Sequence, residues 1–163
     1  MAKKRKHEKT FFYISILTIL ILSTLTLSAI EHFSTDEYTK INNIRIINNT
    51  VILFNNCTAL IAETSPERAH SIELGLENKI EVRPNTHDIF AEVLKKFNIT
   101  LENVTLDNFS NNIYYAKLYL KQGNNVLKID LKPSDGIALA LRTESPVYIK
   151  TWILEKMGQN ICK

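Results

Sequence analysis

Apolar and polar positions divide this chain of 163 residues into two unlike parts. Residues 11–30 contain no charge, and at the helical rise that length spans about 30 Å, one bilayer core. Its six Ser and Thr residues are tolerated in such a helix because they bond back to their own backbone. After a polar connector at 31–40 the pattern turns β-rich. Runs at 44–47, 51–54 and 58–62 are separated by a turn near Asn48-Asn49 and a break at Asn55-Asn56. Ser65-Pro66-Glu67 opens a helix whose apolar face is Ala69, Ile72 and Leu76. A second helix follows Thr86, with Ile89, Phe90, Val93, Leu94 and Phe97 forming a stripe that predicts core. Strands are predicted at about 100–106, 113–121 and 126–132, the last two as a hairpin. Residues 136–141 are apolar all round, which predicts a helix buried on more than one side. A short strand at 147–149 and a terminal helix from Trp152 complete the order. It implies a single α+β domain at 41–158, an antiparallel or mixed sheet with three to four helices, and a tail at 159–163.

Charge sets the expected topology. Lys3, Lys4, Arg5, Lys6 and Lys9 precede the apolar run, while Glu31, Asp36 and Glu37 follow it. The positive-inside rule then puts a basic tail at 1–10 in the cytoplasm, a single membrane helix at 11–30, and the rest outside the cell membrane. The competing reading is a cleaved signal peptide, but the run is long for one, and Thr26 and Ser28 match its small-residue site poorly. The tail takes five of the 20 basic residues and one of the 17 acids, so the remainder holds 15 basic and 16 acidic groups. The overall +3 is therefore a topology signal, and it argues against indiscriminate binding of polyanions.

Cys57 and Cys162 stand 105 positions apart. Outside a membrane they are able to pair, yet the predicted strand around Cys57 and the terminal position of Cys162 argue for free thiols. Neither has the spacing of a zinc site. Sequons at Asn48, Asn56, Asn98, Asn103 and Asn108 fit an external domain, although a chain so rich in Asn produces them by chance.

Two segments carry the chemistry. Arg83-Pro84-Asn85-Thr86-His87-Asp88-Ile89 and Lys132-Pro133-Ser134-Asp135-Gly136-Ile137 each run from a basic residue through proline and a hydroxyl to aspartate and an apolar helical pattern. Proline clears the helical region before it, Thr86 and Ser134 are the expected N-caps, and Asp88 and Asp135 face the positive end of a helix dipole. Two well-capped helices would account for all of this. With the Tyr114-Tyr115-Ala116-Lys117-Leu118-Tyr119-Leu120 strand and Ser145-Pro146-Val147-Tyr148-Ile149, the order from 83 to 149 resembles the bifunctional nuclease domain family. Upstream the resemblance fades: Thr58 to Glu63 and then Glu67 stand where the family has a Trp-Ile-Gly-like turn and an early glutamate, and Gly136 stands where it commonly has Ala.

The resemblance implies hydrolysis of DNA and RNA, with a divalent cation such as magnesium or manganese. Carboxylates beside an imidazole suit that chemistry, and helix N-termini offer amides to phosphate. The candidate catalytic residues are His87, Asp88, Ser134 and Asp135, with Asp88 and Asp135 as candidate metal ligands. One face of the hairpin collects Tyr115, Lys117, Tyr119, Lys121, Lys128 and Lys132, a composition that stacks bases and neutralises phosphates. With Arg83 and Arg142 these are the candidate nucleic-acid contacts, although a solvated sheet face looks the same. The rival expectation is a non-catalytic ligand-binding or scaffold domain, a homo-oligomer anchored to the membrane. The two motifs are expected to lie close together, each as a strand-to-helix corner.

Overall fold

Side-chain alternation in the second half of the chain builds the larger of two sheets. Strand β5 (Thr100–Ser110) turns at Asn111 and Asn112, both at positive φ, into β6 (Ile113–Gln122), and Gly123 turns β6 into β7 (Asn125–Leu131). Asparagine enters the left-handed region at low cost because its short amide bonds locally. The same conformation recurs at Asn48, Asn56, Asn78 and Asn98, so three of the five sequon asparagines are also turn-formers. A fourth sequon residue, Asn103, is buried in β5. On the other side of β5 runs β8 (Val147–Lys150), parallel to it, and β1 (Tyr38–Lys40) closes the edge antiparallel to β8. A second, antiparallel sheet has the order β2 (Asn43–Ile47), β3 (Thr50–Asn55), β4 (Thr58–Glu63) and β9 (Gln159–Asn160).

The computed structural model describes residues 34–162, which form one α+β unit with a mixed and an antiparallel sheet and four helices. The expected membrane span at 11–30 lies outside the described residues. Among the described residues no helix is long and apolar enough to cross a membrane. Strand pairing runs past the expected 41–158 at both ends, because β1 falls in the stretch read as connector and β9 in the stretch read as tail. Neither Tyr-Thr-Lys nor Gln-Asn has an alternation that a sequence reading detects. Strand β5 also exceeds its expected length, since a register shift between Leu106 and Asn108 keeps Asn108 in the ladder.

The helices are α1 (Pro66–Leu76), α2 (Thr86–Lys96), α3 (Pro133–Arg142) and α4 (Thr151–Met157). Helix α3 is central: Gly136 to Ala140 are all buried, and it packs on β5, β6, α1 and α2. A Cβ built on Gly136 would lie 2.7 Å from Val104 Cγ1, so glycine lets α3 settle on β5. Substituting Ala there adds about 1 kcal/mol of helix propensity but forces a stiff valine aside. We expect Gly136→Ala to lose about 1–2 kcal/mol net in urea denaturation. In a Val104→Ala background the same substitution should be neutral or stabilising.

Helix α2 corrects an expectation. Leu94 is buried, but Ile89, Val93 and Phe97 are 53%, 41% and 64% exposed. Five positions at i, i+1, i+4, i+5 and i+8 span a wider arc than one neighbouring helix covers. The contact with α3 takes the Phe90–Leu94 side and leaves the other line open. The two cysteines give a second correction. Cys57 sits in the β3–β4 turn, not in a strand, and is bonded to Cys162. The β4–β9 pairing brings them together, with the Ile161 amide donating to the Cys57 carbonyl at 2.9 Å.

Candidate active site

Each helix start is built differently from the sequence expectation. The N-cap of α2 is Asn85, one residue before Thr86, in an extended conformation (φ −80°, ψ 177°). Its side chain accepts from the amides of His87 (2.9 Å) and Asp88 (3.1 Å), while Asp88 Oδ2 accepts the Asn85 amide at 2.8 Å. This reciprocal box consumes the amides that would otherwise meet an anion. At α3 the N-cap is Lys132 with no side-chain cap bond, so Ser134 is likewise not the cap. The Asp135 and Gly136 amides turn back onto the Lys132 carbonyl and Pro133 has none, so of the first-turn amides that of Ser134 is not used in this turn.

The motifs do converge, although only the second follows a strand. The first lies in the connection between α1 and α2. Arg142, at the last position of α3, donates from Nε to Asp88 Oδ1 at 2.5 Å. Its Nη1 donates to the carbonyls of Ser71 (2.9 Å) and Ala138 (2.8 Å). The side chains of Arg142 and Asp88 are 8% and 3% exposed, so this ion pair is shut inside the α1–α2–α3 junction. Close approach of α1 requires Gly75, where a Cβ would lie 3.0 Å from both Arg142 Nη1 and Leu141 Cβ. Beside the pair, His87 Nδ1 is 2.9 Å from Ser71 Oγ and His87 Nε2 is 3.6 Å from Asp135 Oδ1.

Hydrogen bonding decides the state of this imidazole. Burial pushes the His87 pKa below its ordinary value against the opposing pull of Asp135, so the ring is neutral at neutral pH. Asn85 Nδ2 donates to Ser71 Oγ at 3.5 Å. The arrangement that sets no two lone pairs against each other has Ser71 donating to Nδ1 and Nε2–H directed at the Asp135 carboxylate. Asn85, Ser71 and His87 then form one directional chain, with Asp135 3.6 Å beyond its Nε2 end. Ser71 is buried, so its hydroxyl positions His87 and is closed to a polymeric substrate. The sequence reading missed Ser71, whose one signal is a polar residue beside Ile72 and Leu74 on a face that turns inward. Asp135, at 35% side-chain exposure, is the solvent-facing carboxylate of the group.

The remaining expected contacts fall elsewhere. Val104 faces α3, and its β6 partner Leu118 shares that face, so Lys117 and Tyr119 point from the opposite side of the sheet. The expected hairpin patch therefore does not share a cleft with His87 and Asp135. Its lysines are also engaged: Lys117 with Asp107 at 3.1 Å, Lys121 with Glu102 at 3.1 Å, and Lys128 over the Tyr119 ring at 5.4 Å. Tyr119 is buried and Tyr115 exposed, and burial and a bond to Asp107 push the Tyr38 pKa up on this face. Arg83 is exposed in the α1–α2 connection.

Lys132 and Ser134 precede Asp135 in the chain but border a space whose lining includes neither His87 nor Asp135. They line a cavity of about 320 Å³ between the two sheets, floored by Leu53, Leu60, Leu106 and Ile137 and rimmed by Arg68. The two aspartates do not share a metal position as expected. Both Asp88 oxygens are committed, to the Asn85 amide and to Arg142, and among the described residues no three His, Cys, Asp or Glu side chains converge on one point.

Comparison with known proteins bears on what this cluster does. Residues 59–161 match the family described as Bifunctional nuclease domain. Over 82 residues the chain is 29% identical to Bifunctional nuclease 1 of Oryza sativa subsp. japonica, an alignment covering 48% of this chain and 25% of the rice protein. The same figures hold for the Bifunctional nuclease of Oryza minuta. Over 76 residues it is 29% identical to an uncharacterized protein of Mycobacterium tuberculosis, covering 47% of this chain and 44% of that one. The alignments thus span less than half the length of these curated relatives. The match to the family covers more than half of the present sequence and takes in both motifs and every residue of the Ser71–His87–Asp135 and Asp88–Arg142 clusters. On that match, this chain belongs to the bifunctional nuclease domain family.

Proposed function

We propose that the chain hydrolyses phosphodiester bonds of DNA or RNA, with Asp135 as the carboxylate that activates water. The observation that carries this is the approach of His87 Nε2 to Asp135 Oδ1, two motifs meeting at one half-buried carboxylate. His87 is held by Ser71 with its Nε2 3.6 Å from Asp135, near enough to attract the carboxylate and close on it as substrate arrives. Water loses a proton to Asp135 as its oxygen bonds to phosphorus. The bond to the departing sugar oxygen breaks, and that oxygen takes a proton from solvent. Charge developing on the phosphoryl oxygens is met by the Ser134 amide and hydroxyl and by Lys132. A magnesium or manganese ion would be held by Asp135 and would polarise the phosphoryl group.

Placement of the domain outside the cytoplasm draws support from the Cys57–Cys162 bond, since such bonds persist in oxidising compartments. The test is cleavage of plasmid DNA and of RNA by the wild-type chain and by Asp135→Asn, with magnesium, manganese or chelator. We expect Asp135→Asn to lose about 100-fold or more in rate with unchanged circular dichroism. Equal cleavage by both chains would overturn the assignment. The alternative of a non-catalytic, oligomeric scaffold draws on the open Ile89–Val93–Phe97 line, and it would gain if the wild-type chain cleaved nothing and sedimented as an oligomer.

A further inference from the structure

Strand β7 ends the larger sheet: β6 pairs with one side of it, and among the described residues no strand pairs with the other. Over seven residues, Asn125–Leu131, every second amide and carbonyl therefore points out of the sheet, a template for another strand. The edge is neither short nor interrupted by proline, and one of its faces is apolar. Val104 faces α3, Leu118 pairs with Val104 and Ile129 with Leu118, so Leu127, Ile129 and Leu131 lie on the α3 face. Leu127 is 57% exposed there. Phe97, also exposed, stands at the β6–β7 turn, its carbonyl accepting from Gln122 Nε2 at 2.8 Å. Lys128 and Asp130 alternate with the leucines on the opposite face. A lone edge lysine keeps strands apart. A lysine and an aspartate two positions apart are instead complementary to themselves across a two-fold axis. With Ile129 on the axis of an antiparallel pair, Lys128 stands opposite Asp130 of the second copy, Asp130 opposite its Lys128, and Leu127 opposite its Leu131. A slip of two positions sets Lys128 against Lys128 or Asp130 against Asp130, and a slip of one turns the apolar row onto the charged face. The order of charges thus admits one register.

We propose that this edge joins a second copy of the chain, β7 antiparallel to β7, so that two five-stranded sheets become one. Main-chain bonds hold the pair, the two Lys128–Asp130 contacts fix its register, and Leu127 is covered. The occupant is a second copy because the charge order complements itself. The test is sedimentation equilibrium of the full chain in a density-matched uncharged detergent. We expect a reversible dimer, weakened about tenfold or more by Lys128→Asp or by Asp130→Lys alone, since each sets like charges together twice. The double swap, Lys128→Asp with Asp130→Lys, restores opposite charges and should return association to within about threefold of wild type. Circular dichroism checks that each variant is folded. Hydrogen exchange gives a second reading on the unsubstituted chain, whose β7 amides should become protected as its concentration rises. A chain monomeric at about 100 μM, or β7 exchange that ignores concentration, overturns the proposal. So does a dimer that the single substitutions leave intact, which would place the contact elsewhere, or a folded double swap no better than the single variants. The readout is association, so the outcome is independent of whether the chain cleaves nucleic acid.

Discussion

Replacing Arg142 with methionine is expected to cost the folded chain about 3–5 kcal/mol in chemical denaturation. The residue looks replaceable in sequence, as a basic end to an apolar helix. In the fold its side chain is 8% exposed and bridges three helices, to Asp88 on α2, the Ser71 carbonyl on α1 and the Ala138 carbonyl on α3. Methionine fills the stem volume but leaves the Asp88 carboxylate buried without a counter-charge. Lysine restores charge without the planar fork, so Arg142→Lys should recover only part of the loss. The pairing itself is read by a double-mutant cycle. Asp88→Asn combined with Arg142→Met should be destabilised by about 1–3 kcal/mol less than the sum of the single variants. Additive losses would mean that the two side chains act independently, as a cap and a stem.

Opening the Cys57–Cys162 bond should cost about 2–4 kcal/mol, whether by reductant or by Cys57→Ser with Cys162→Ser. The bond joins positions 105 residues apart, so it restricts the unfolded chain over most of the described length. It also clamps β9, which pairs with β4 through only Thr58–Asn160 and Ala59–Gln159. Chemical denaturation with and without dithiothreitol measures the effect. The double serine variant should match the reduced wild type and be indifferent to reductant. If reduction leaves the midpoint in place, β4–β9 pairing is held by other contacts and the bond is dispensable.

Periodicity made much of the fold legible. The hairpin of β6 and β7, the helix start at Pro66, the presence of a helix after each of the two later prolines, and the buried character of α3 all follow from alternation, proline placement and an unbroken apolar run. The errors are local and share a cause. Thr86 and Ser134 were the expected caps because hydroxyl residues usually are, yet Asn85 reaches two amides from one position earlier and Lys132 caps with backbone alone. The apolar stripe on α2 predicts core because a sequence reports how wide a stripe is but not how much of it a neighbour covers. Ser71 shows only as one polar residue beside Ile72 and Leu74, since a single buried hydroxyl makes no pattern.

The sequence by itself determined the class of fold, the order of elements and the two segments where chemistry is concentrated, because propensity, turn residues and apolar spacing act over a few neighbouring positions. Which of the paired residues do which work was decided only in three dimensions. Asp88 and Asp135 have the same local context, a first-turn acid after proline. One is locked against Arg142 from a helix 54 positions on, and the other faces His87 at the solvent-exposed edge of the cluster. The hairpin lysines are assigned to the far side of the sheet by the direction in which Val104 and Leu118 face α3. Burial, counter-charges and the side of a sheet are properties of distant partners, and local sequence does not encode them.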